Sequence, residues 1–404
     1  MVPDSWESSW STRKQFLTRL GGYFPVVWCN PAANWREKWT LKGLLRPGPG
    51  PSASELFVYE PGRALPVFYR PAAWARLLER LRLRGARRVL ERSGCKRFVL
   101  YVWRKELASA LKLHPHDFSI YHIDDEYTFS ARELPLDPEE RSIIREADLV
   151  LIHSPGLMEK KGGINPNTRW IPNGVDYQAF SRKRPPPKEL EGIPGPVFGY
   201  TGGIKKQLDF GLLHAVFLAK PEWSLVLVGA LETLDGEEER LKALFALPNV
   251  TSIGYQPMDR IPAFVQAFDV CLLPYKLDGY TKFIYPLKLH EYLAAGRPVV
   301  GTPIRTLLDF ERHLRLATGR DAWIKAMEQS LVPEAGENVE SRRQEARAYD
   351  WNLLTRRIVE WVCDGLGGDY PDRFRALPNP SDAPAAGAAR SGSGPSASPG
   401  RRTG

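Results

Sequence analysis

The chain has 404 residues, 43% of them hydrophobic, and a net charge of +9. That length exceeds one ordinary domain, and the apolar share, with twelve Trp and fifteen Tyr, excludes a disordered or fibrous chain. The four cysteines, at 29, 95, 271 and 363, form no C-x-x-C pair, which argues against a zinc or redox motif, and Cys271 within an apolar run reads as a reduced thiol of a cytoplasmic protein.

The first residues are polar, and no run approaches about 18 apolar residues, so neither a secretion signal nor a membrane span is expected. Continuous apolar runs at 23–30, 56–59, 97–102, 118–123, 149–153 and 169–172 predict strands buried on both faces of a parallel sheet. Between the second and third of these, residues 73–98 carry nine basic side chains against two acids, Glu79 and Glu91, with leucines interleaved. This is a basic amphipathic helix, either packed on a core with a solvated face or lying on an anionic membrane surface. Five prolines in residues 182–196 predict a stiff linker. The second half restarts with strands at 197–200, 224–228, 250–253, 270–274 and 298–301, separated by helices at 210–219, 237–246, 261–267 and 287–295. Residues 321–366 read as helices. From about Pro378 the chain is Pro, Ala, Gly, Ser and Arg, the composition of a disordered tail.

The expected architecture is therefore α/β: two doubly wound, Rossmann-like domains, 1–181 and 197–345, joined by the linker 182–196 and facing a central cleft. C-terminal helices at 346–376 and a tail at 377–404 follow. Such a cleft gathers helix N-termini and loop amides where ligands bind.

Three stretches can carry chemistry there. In the first, Phe198-Gly-Tyr-Thr-Gly-Gly-Ile-Lys-Lys206, a strand runs into Gly202 and Gly203, which let the backbone approach an anion, and Lys205 or Lys206 adds a point charge. In the second, Lys282 to Val300, Glu291 lies on a helix beside the loop 282–287 and can accept two hydrogen bonds from vicinal hydroxyls such as those of a ribose; a helix acid favoured by the dipole is the plain alternative. In the third, Ser119 to Phe129, a strand ends in His122, Asp124 and Asp125, where an acid or histidine can orient or deprotonate an acceptor hydroxyl. His153 ends the next strand in the same placement. The Asn173-Gly-Val-Asp176 turn reads as structural and His290 as a helix-surface residue.

The stretch Pro286-Leu-Lys-x-x-Glu-Tyr-Leu-Ala-Ala-Gly-x-Pro-Val-Val300 resembles the donor-binding signature of GT-B glycosyltransferases of the family-4 type, in the branch often described as teichuronic-acid-type. Gly199-Tyr-x-Gly-Gly203, Pro221 to Gly229, Phe268 to Tyr275 and Ile171-Pro-Asn-Gly-Val-Asp176 are similar to the same pattern, and the likeness spans residues 95 to 310. The resemblance implies a glycosyltransferase of the hexosyl type. Glu291 would hold the nucleotide ribose of a UDP- or GDP-sugar, and Gly202, Gly203, Lys205, Lys206 and Lys288 the diphosphate. It implies no cofactor and no metal, since lysines and helix amides neutralise the leaving diphosphate. The basic helix at 73–98 points to a glycan or lipid-linked acceptor at the inner face of the cytoplasmic membrane, hence to cell-envelope or extracellular polysaccharide assembly by a cytoplasmic, peripheral protein. The family's Glu-x7-Glu pattern lacks its first acid here, because Phe283 stands in that position. This keeps a non-catalytic nucleotide-sugar-binding protein as a second reading. A phosphorylase or epimerase of the same fold is a third. Nucleic-acid binding is a further alternative that no recognition signature supports.

Overall fold

The computed structural model describes residues 5–7, 11–32, 55–61, 65, 67, 71–127, 129, 133–333 and 336–378. The tail expected beyond residue 378 lies outside them.

Strands of the first half are β1 (Val26–Cys29), β2 (Leu56–Tyr59), β3 (Val99–Val102), β4 (Phe118–Ile123), β5 (Leu149–Ile152) and β6 (Thr168–Trp170). Those of the second are β7 (Val197–Thr201), β8 (Ser224–Val228), β9 (Val250–Gly254), β10 (Val270–Leu273), β11 (Val299–Gly301) and β12 (Arg315–Leu316). The helices that matter below are α1 (Thr12–Leu20), α2 (Ala72–Arg92), α3 (Pro155–Lys161), α4 (Phe210–Ala219), α5 (Leu287–Ala294), α6 (Trp351–Leu366) and α7 (Tyr370–Arg375). Every strand pairing is parallel. β4, β5, β8 and β10 are buried along their whole length, as their unbroken apolar runs require.

The second half forms one sheet in the order β12-β11-β10-β7-β8-β9. Chain progression reverses between β7 and β10, and a doubly wound sheet opens its ligand crevice at the carboxyl ends of the two strands flanking that switch. The loops after Thr201 and Leu273 are thereby fixed as the walls of a site. The first half departs from the expected continuous sheet. β3-β4-β5-β6 follow in order, while β1 and β2 pair only with each other among the described residues. A cavity lies between β1 and β3.

The stretch 182–196 holds a single 3-10 turn, Lys188–Leu190, and Arg184 and Glu189 bind Gln266 and Arg260 of the second half. The C-terminal helices do not stay with the second half. Asp350 caps α6 by accepting from the Asn352 amide (2.8 Å), and the helix buries Trp351, Leu354, Ile358 and Val362 in one cluster with Phe16 and Leu17 of α1, Trp28 and Trp103. The polar N-terminus thus contains a helix whose buried stripe is too short to stand out in the sequence. Where α6 crosses back, Gly174 meets the Tyr349 carbonyl so closely that a Cβ would lie 2.6 Å from its oxygen. The neighbouring Asn173 donates to the Tyr285 carbonyl (2.8 Å) and accepts from Thr12 (3.0 Å).

Candidate active site

At the carboxyl end of β7 the backbone turns through Gly202, at φ +120°, a conformation that side-chain-bearing residues avoid. A Cβ there would lie 2.2 Å from Cε of Lys288. Lys288, in the first turn of α5, therefore lies directly against the glycine, with its ammonium 5.2 Å from the centroid of the Tyr200 ring. The β8 end closes on the same turn: the Gly202 amide donates to the Val228 carbonyl (2.8 Å), and a Cβ on Gly229 would lie 2.0 Å from the Gly202 oxygen. Tyr292 ties α5 to the strand end by accepting from the Thr201 amide (2.9 Å). Lys205 faces Glu232 at 3.9 Å. Burial and the nearby Lys288 lower its pKa.

Glu291 sits one turn further along α5, half-buried. Among the described residues no hydrogen bond or ion pair engages its carboxylate. Burial pushes this carboxyl up to about 7, and Lys288 pulls against the shift. A carboxylate dehydrated and left without a partner at a sheet switch point is suited to hydroxyl donors from a ligand.

The opposite wall comes from the first half. Asp125, following β4, accepts from the Tyr280 hydroxyl of the second half (2.8 Å) and from the Glu126 amide (2.7 Å). It also contributes to the field at Lys205, so the two halves meet across one cleft. Asp124 is held by Arg13 of α1 (2.8 Å) and by the Tyr127 hydroxyl. His153 is buried with Nδ1 on the Ile123 carbonyl (3.1 Å). Burial lowers its pKa, while Asp124 and Asp125 oppose the shift. Beneath Asp125 lies a closed ionic cluster: Lys161 binds Glu140 (2.8 Å) and Glu126 (3.3 Å), all three buried, and Lys160 reaches Glu126 at 3.1 Å.

Several expectations need correction. His122 does not reach the cleft. Its ring is fully buried, stacked on Trp103 at 3.9 Å, and Nδ1 bonds the Tyr101 hydroxyl (2.8 Å). Burial holds its pKa well below the ordinary range, so it serves as a neutral packing group. His290 is not on a helix surface. It is fully buried, stacked on Tyr349 at 3.9 Å with Nε2 on the Tyr285 hydroxyl (2.8 Å), and burial lowers it to about 3. Lys206 is exposed and pairs with Asp235.

Phe283, in place of the first acid, enters the core of the first half and is 1% exposed. The ammonium groups of Lys282 and Lys160 lie 4.7 and 5.3 Å from its ring centroid. Around it, Gly156 of α3 is packed on the Lys282 carbonyl, Lys282 pairs with Glu133 (2.5 Å), and Arg305 pairs with Glu159 (2.6 Å). This position thus fastens the two halves together. Tyr280, Glu232 and Arg13 escaped the sequence reading, because each acquires its place only through contacts distant in the chain. No three His, Cys, Asp or Glu side chains stand together as metal ligands among the described residues.

Two parallel α/β sheets facing one cleft, with a glycine turn, two lysines and an unpartnered glutamate at the switch point of the second, define a GT-B glycosyltransferase architecture. The sequence profile of the family described as Glycosyl transferases group 1 matches residues 195–331. TuaH of Bacillus subtilis (strain 168), named as a candidate teichuronic acid biosynthesis glycosyltransferase, is 31% identical over 271 residues, covering 62% of this chain and 68% of that one. The chain belongs to the group 1 glycosyltransferase family and is a glycosyltransferase. Among solved structures, sucrose-phosphate synthase from Thermosynechococcus elongatus has a TM-score of 0.61 at 16% identity, covering 90% of this chain and 93% of that one. Anabaena Alr3699/HepE in complex with UDP and glucose has a TM-score of 0.59 at 15% identity, covering 89% and 97%. At these identities the likeness speaks to the fold.

Proposed function

We propose that the chain transfers a hexose-type sugar from a UDP- or GDP-sugar to a glycan or lipid-linked acceptor, with retention and without a metal, in cell-envelope or extracellular polysaccharide synthesis. The observation that carries this reading is the convergence of the unpartnered Glu291 carboxylate, Lys288 and the Gly202 turn at the switch point of the second sheet. In this scheme residues 197–345 hold the donor and 1–181 the acceptor. Glu291 accepts from the ribose hydroxyls. Lys288, Lys205 and the amides around Gly202 and Gly203 stabilise the diphosphate as negative charge grows on it during bond cleavage. Asp125, with His153 behind it, orients the acceptor hydroxyl from the facing wall. With Phe283 withdrawn into the core, backbone groups of 283–287 take over contact with the donor sugar.

The membrane part of the reading rests on α2. Its exposed face presents Trp74, Leu77 and Leu81 in one stripe, with Arg76, Arg80, Arg84, Arg88 and Arg92 beside them. An apolar stripe flanked by arginines suits an anionic lipid surface. Among the described residues no helix is long and apolar enough to cross a membrane.

Calorimetric titration with UDP-glucose and GDP-mannose in excess chelator, on the protein and on Glu291→Ala, tests the donor site. Binding of one nucleotide sugar in the micromolar range, weakened at least tenfold in the variant, is expected. Binding of neither, or equal binding by the variant, overturns the reading.

A further inference from the structure

The cavity between β1 and β3 plays no part in the donor site, yet at about 580 Å³ it is the size of a ligand pocket. Its walls are apolar: Trp28 of β1, Leu90 of α2, Val362 and Leu366 of α6, and Phe374 of α7. Its polar lining is one-sided. Arg87, Lys96, Arg97 and Arg373 border it, with His114 and His116, and no carboxylate does. Lys96, Arg97 and Arg373 are exposed and mark the mouth, and Lys96 makes no ion pair among the described residues. The carboxylates that pair with Arg87, Arg97 and Arg373, namely Glu91, Asp117 and Asp369, lie outside the lining. Burial lowers the pKa of His114, Arg87, His116 and Arg84 add to the effect, and Glu91 opposes it.

Position completes the picture. The cavity is bordered by the inner face of α2 (Leu83, Ala86, Leu90), while the outer face of the same helix carries the Trp74-Leu77-Leu81 stripe. Its mouth lies at the amino ends of β3 and β4, beside Arg97 and His116. Asp124 and Asp125 follow the carboxyl end of β4, a six-residue strand, roughly 20 Å away.

We infer that this cavity holds the hydrocarbon chain of an anionic lipid whose phosphate is met by Arg87, Lys96, Arg97 and Arg373. An apolar chamber alone would take any hydrophobe. Four cations without a wall carboxylate select an amphiphile with an anionic head, and the basic helix beside it presents the protein to the surface where such molecules are found. The site is separate from the chemistry: a lipid seated here keeps the enzyme on the membrane and leaves the cleft open. The inference rests on the membrane-surface part of the proposed function, and the two fail separately. Loss of sedimentation with phosphatidylglycerol vesicles alongside intact binding of soluble amphiphiles would remove only the surface role of α2.

The test is calorimetry of the full chain with alkyl phosphates of six to twelve carbons, below their micellar concentrations, with the matching alcohols and inorganic phosphate as controls. Affinity is expected to rise about fourfold per added methylene as each is buried. The twelve-carbon alcohol should bind at least tenfold more weakly than its phosphate, and inorganic phosphate should not bind measurably. Ala86→Phe, which narrows the chamber, should weaken the longest chains most and flatten the dependence on chain length. Lys96→Glu with Arg373→Glu, both at exposed positions, should erase the preference for phosphate over alcohol. Nucleotide-sugar binding should be the same with the cavity loaded or empty. Equal binding of alcohol and phosphate, inorganic phosphate binding as well as the lipid phosphate, variants indistinguishable from the parent, or displacement of the amphiphile by nucleotide sugar would each overturn the assignment.

Discussion

Replacing Glu291 by Gln sets stability against binding at one atom. Burial holds the carboxyl at about 7 against an ordinary 4.5. For a fully buried group that difference corresponds to roughly 3 kcal/mol of destabilisation once ionised. Glu291 is half-buried, and solvent screening leaves about 1–2 kcal/mol. The sign follows from protonation. Below pH 4.5 the group is neutral in folded and unfolded chains alike and has no effect. As pH rises from 4.5 to 7 the unfolded chain releases its proton first, so stability falls, and above 7 the deficit is constant. Glu291→Gln is never charged there, so it should melt a few degrees above the parent at pH 8 and together with it near pH 4.5. Donor binding should move the other way. Charge-assisted hydrogen bonds are worth about 1.5–3 kcal/mol each, so losing those from two ribose hydroxyls should weaken the nucleotide sugar on the order of a hundredfold at pH 8. The parent itself should lose roughly fivefold between pH 7 and pH 6, following the ionised fraction of a group that titrates near 7. Scanning calorimetry with metal-free titrations at several pH values reads both. A parent affinity that is flat from pH 6 to 8, or a variant that matches the parent in melting and in binding, would refute the assignment.

Neighbouring glycines should respond differently to the same change. Gly202→Ala meets a φ of +120° and the Lys288 stem, so it should cost about 1–3 kcal/mol and weaken the nucleotide at least tenfold. Gly203→Ala meets only the carboxylate end of Glu232, which can swing aside, and thermal melts should show it within about 1 kcal/mol of the parent. Lys161→Met leaves the buried Glu140 without a cation and Glu126 with Lys160 alone, and chemical denaturation should register a loss of about 3–5 kcal/mol; a neutral result would refute the stabilising role of the buried pair. Phe283→Ala should cost about 3 kcal/mol and loosen the grip between the halves, seen as faster proteolysis within 182–196. Unchanged proteolysis would show that the ion pairs Lys282–Glu133 and Arg305–Glu159 hold the halves without it.

Much of the fold was legible because its signals are local. The runs 118–123 and 224–228 coincide with β4 and β8 as observed, and 210–219 with α4, since a strand buried on both faces leaves an unbroken apolar run and a helix leaves a periodic one. Gly202, Lys288 and Glu291 were found for the same reason: two short segments contain them, and the turn and the helix that present them form from those segments.

Other features depend on contacts between distant residues. His122 and His290 look alike in sequence to histidines at a cleft or on a surface. Only the packing of Trp103 and Tyr349 against their rings makes them neutral core groups. The return of α6 to the first half, the withdrawal of Phe283 into that core, the pairing of Tyr280 with Asp125 and the separation of β1 from β3 all arise between segments far apart in the chain. By itself the sequence determined most of the parallel strands of the two halves and the turn and helix that carry Gly202, Gly203, Lys288 and Glu291, because periodicity and turn chemistry act over a few residues. The tertiary structure alone decided which charged groups are dehydrated, which are paired and which remain for a ligand, because desolvation and ion pairing depend on what the rest of the chain places alongside.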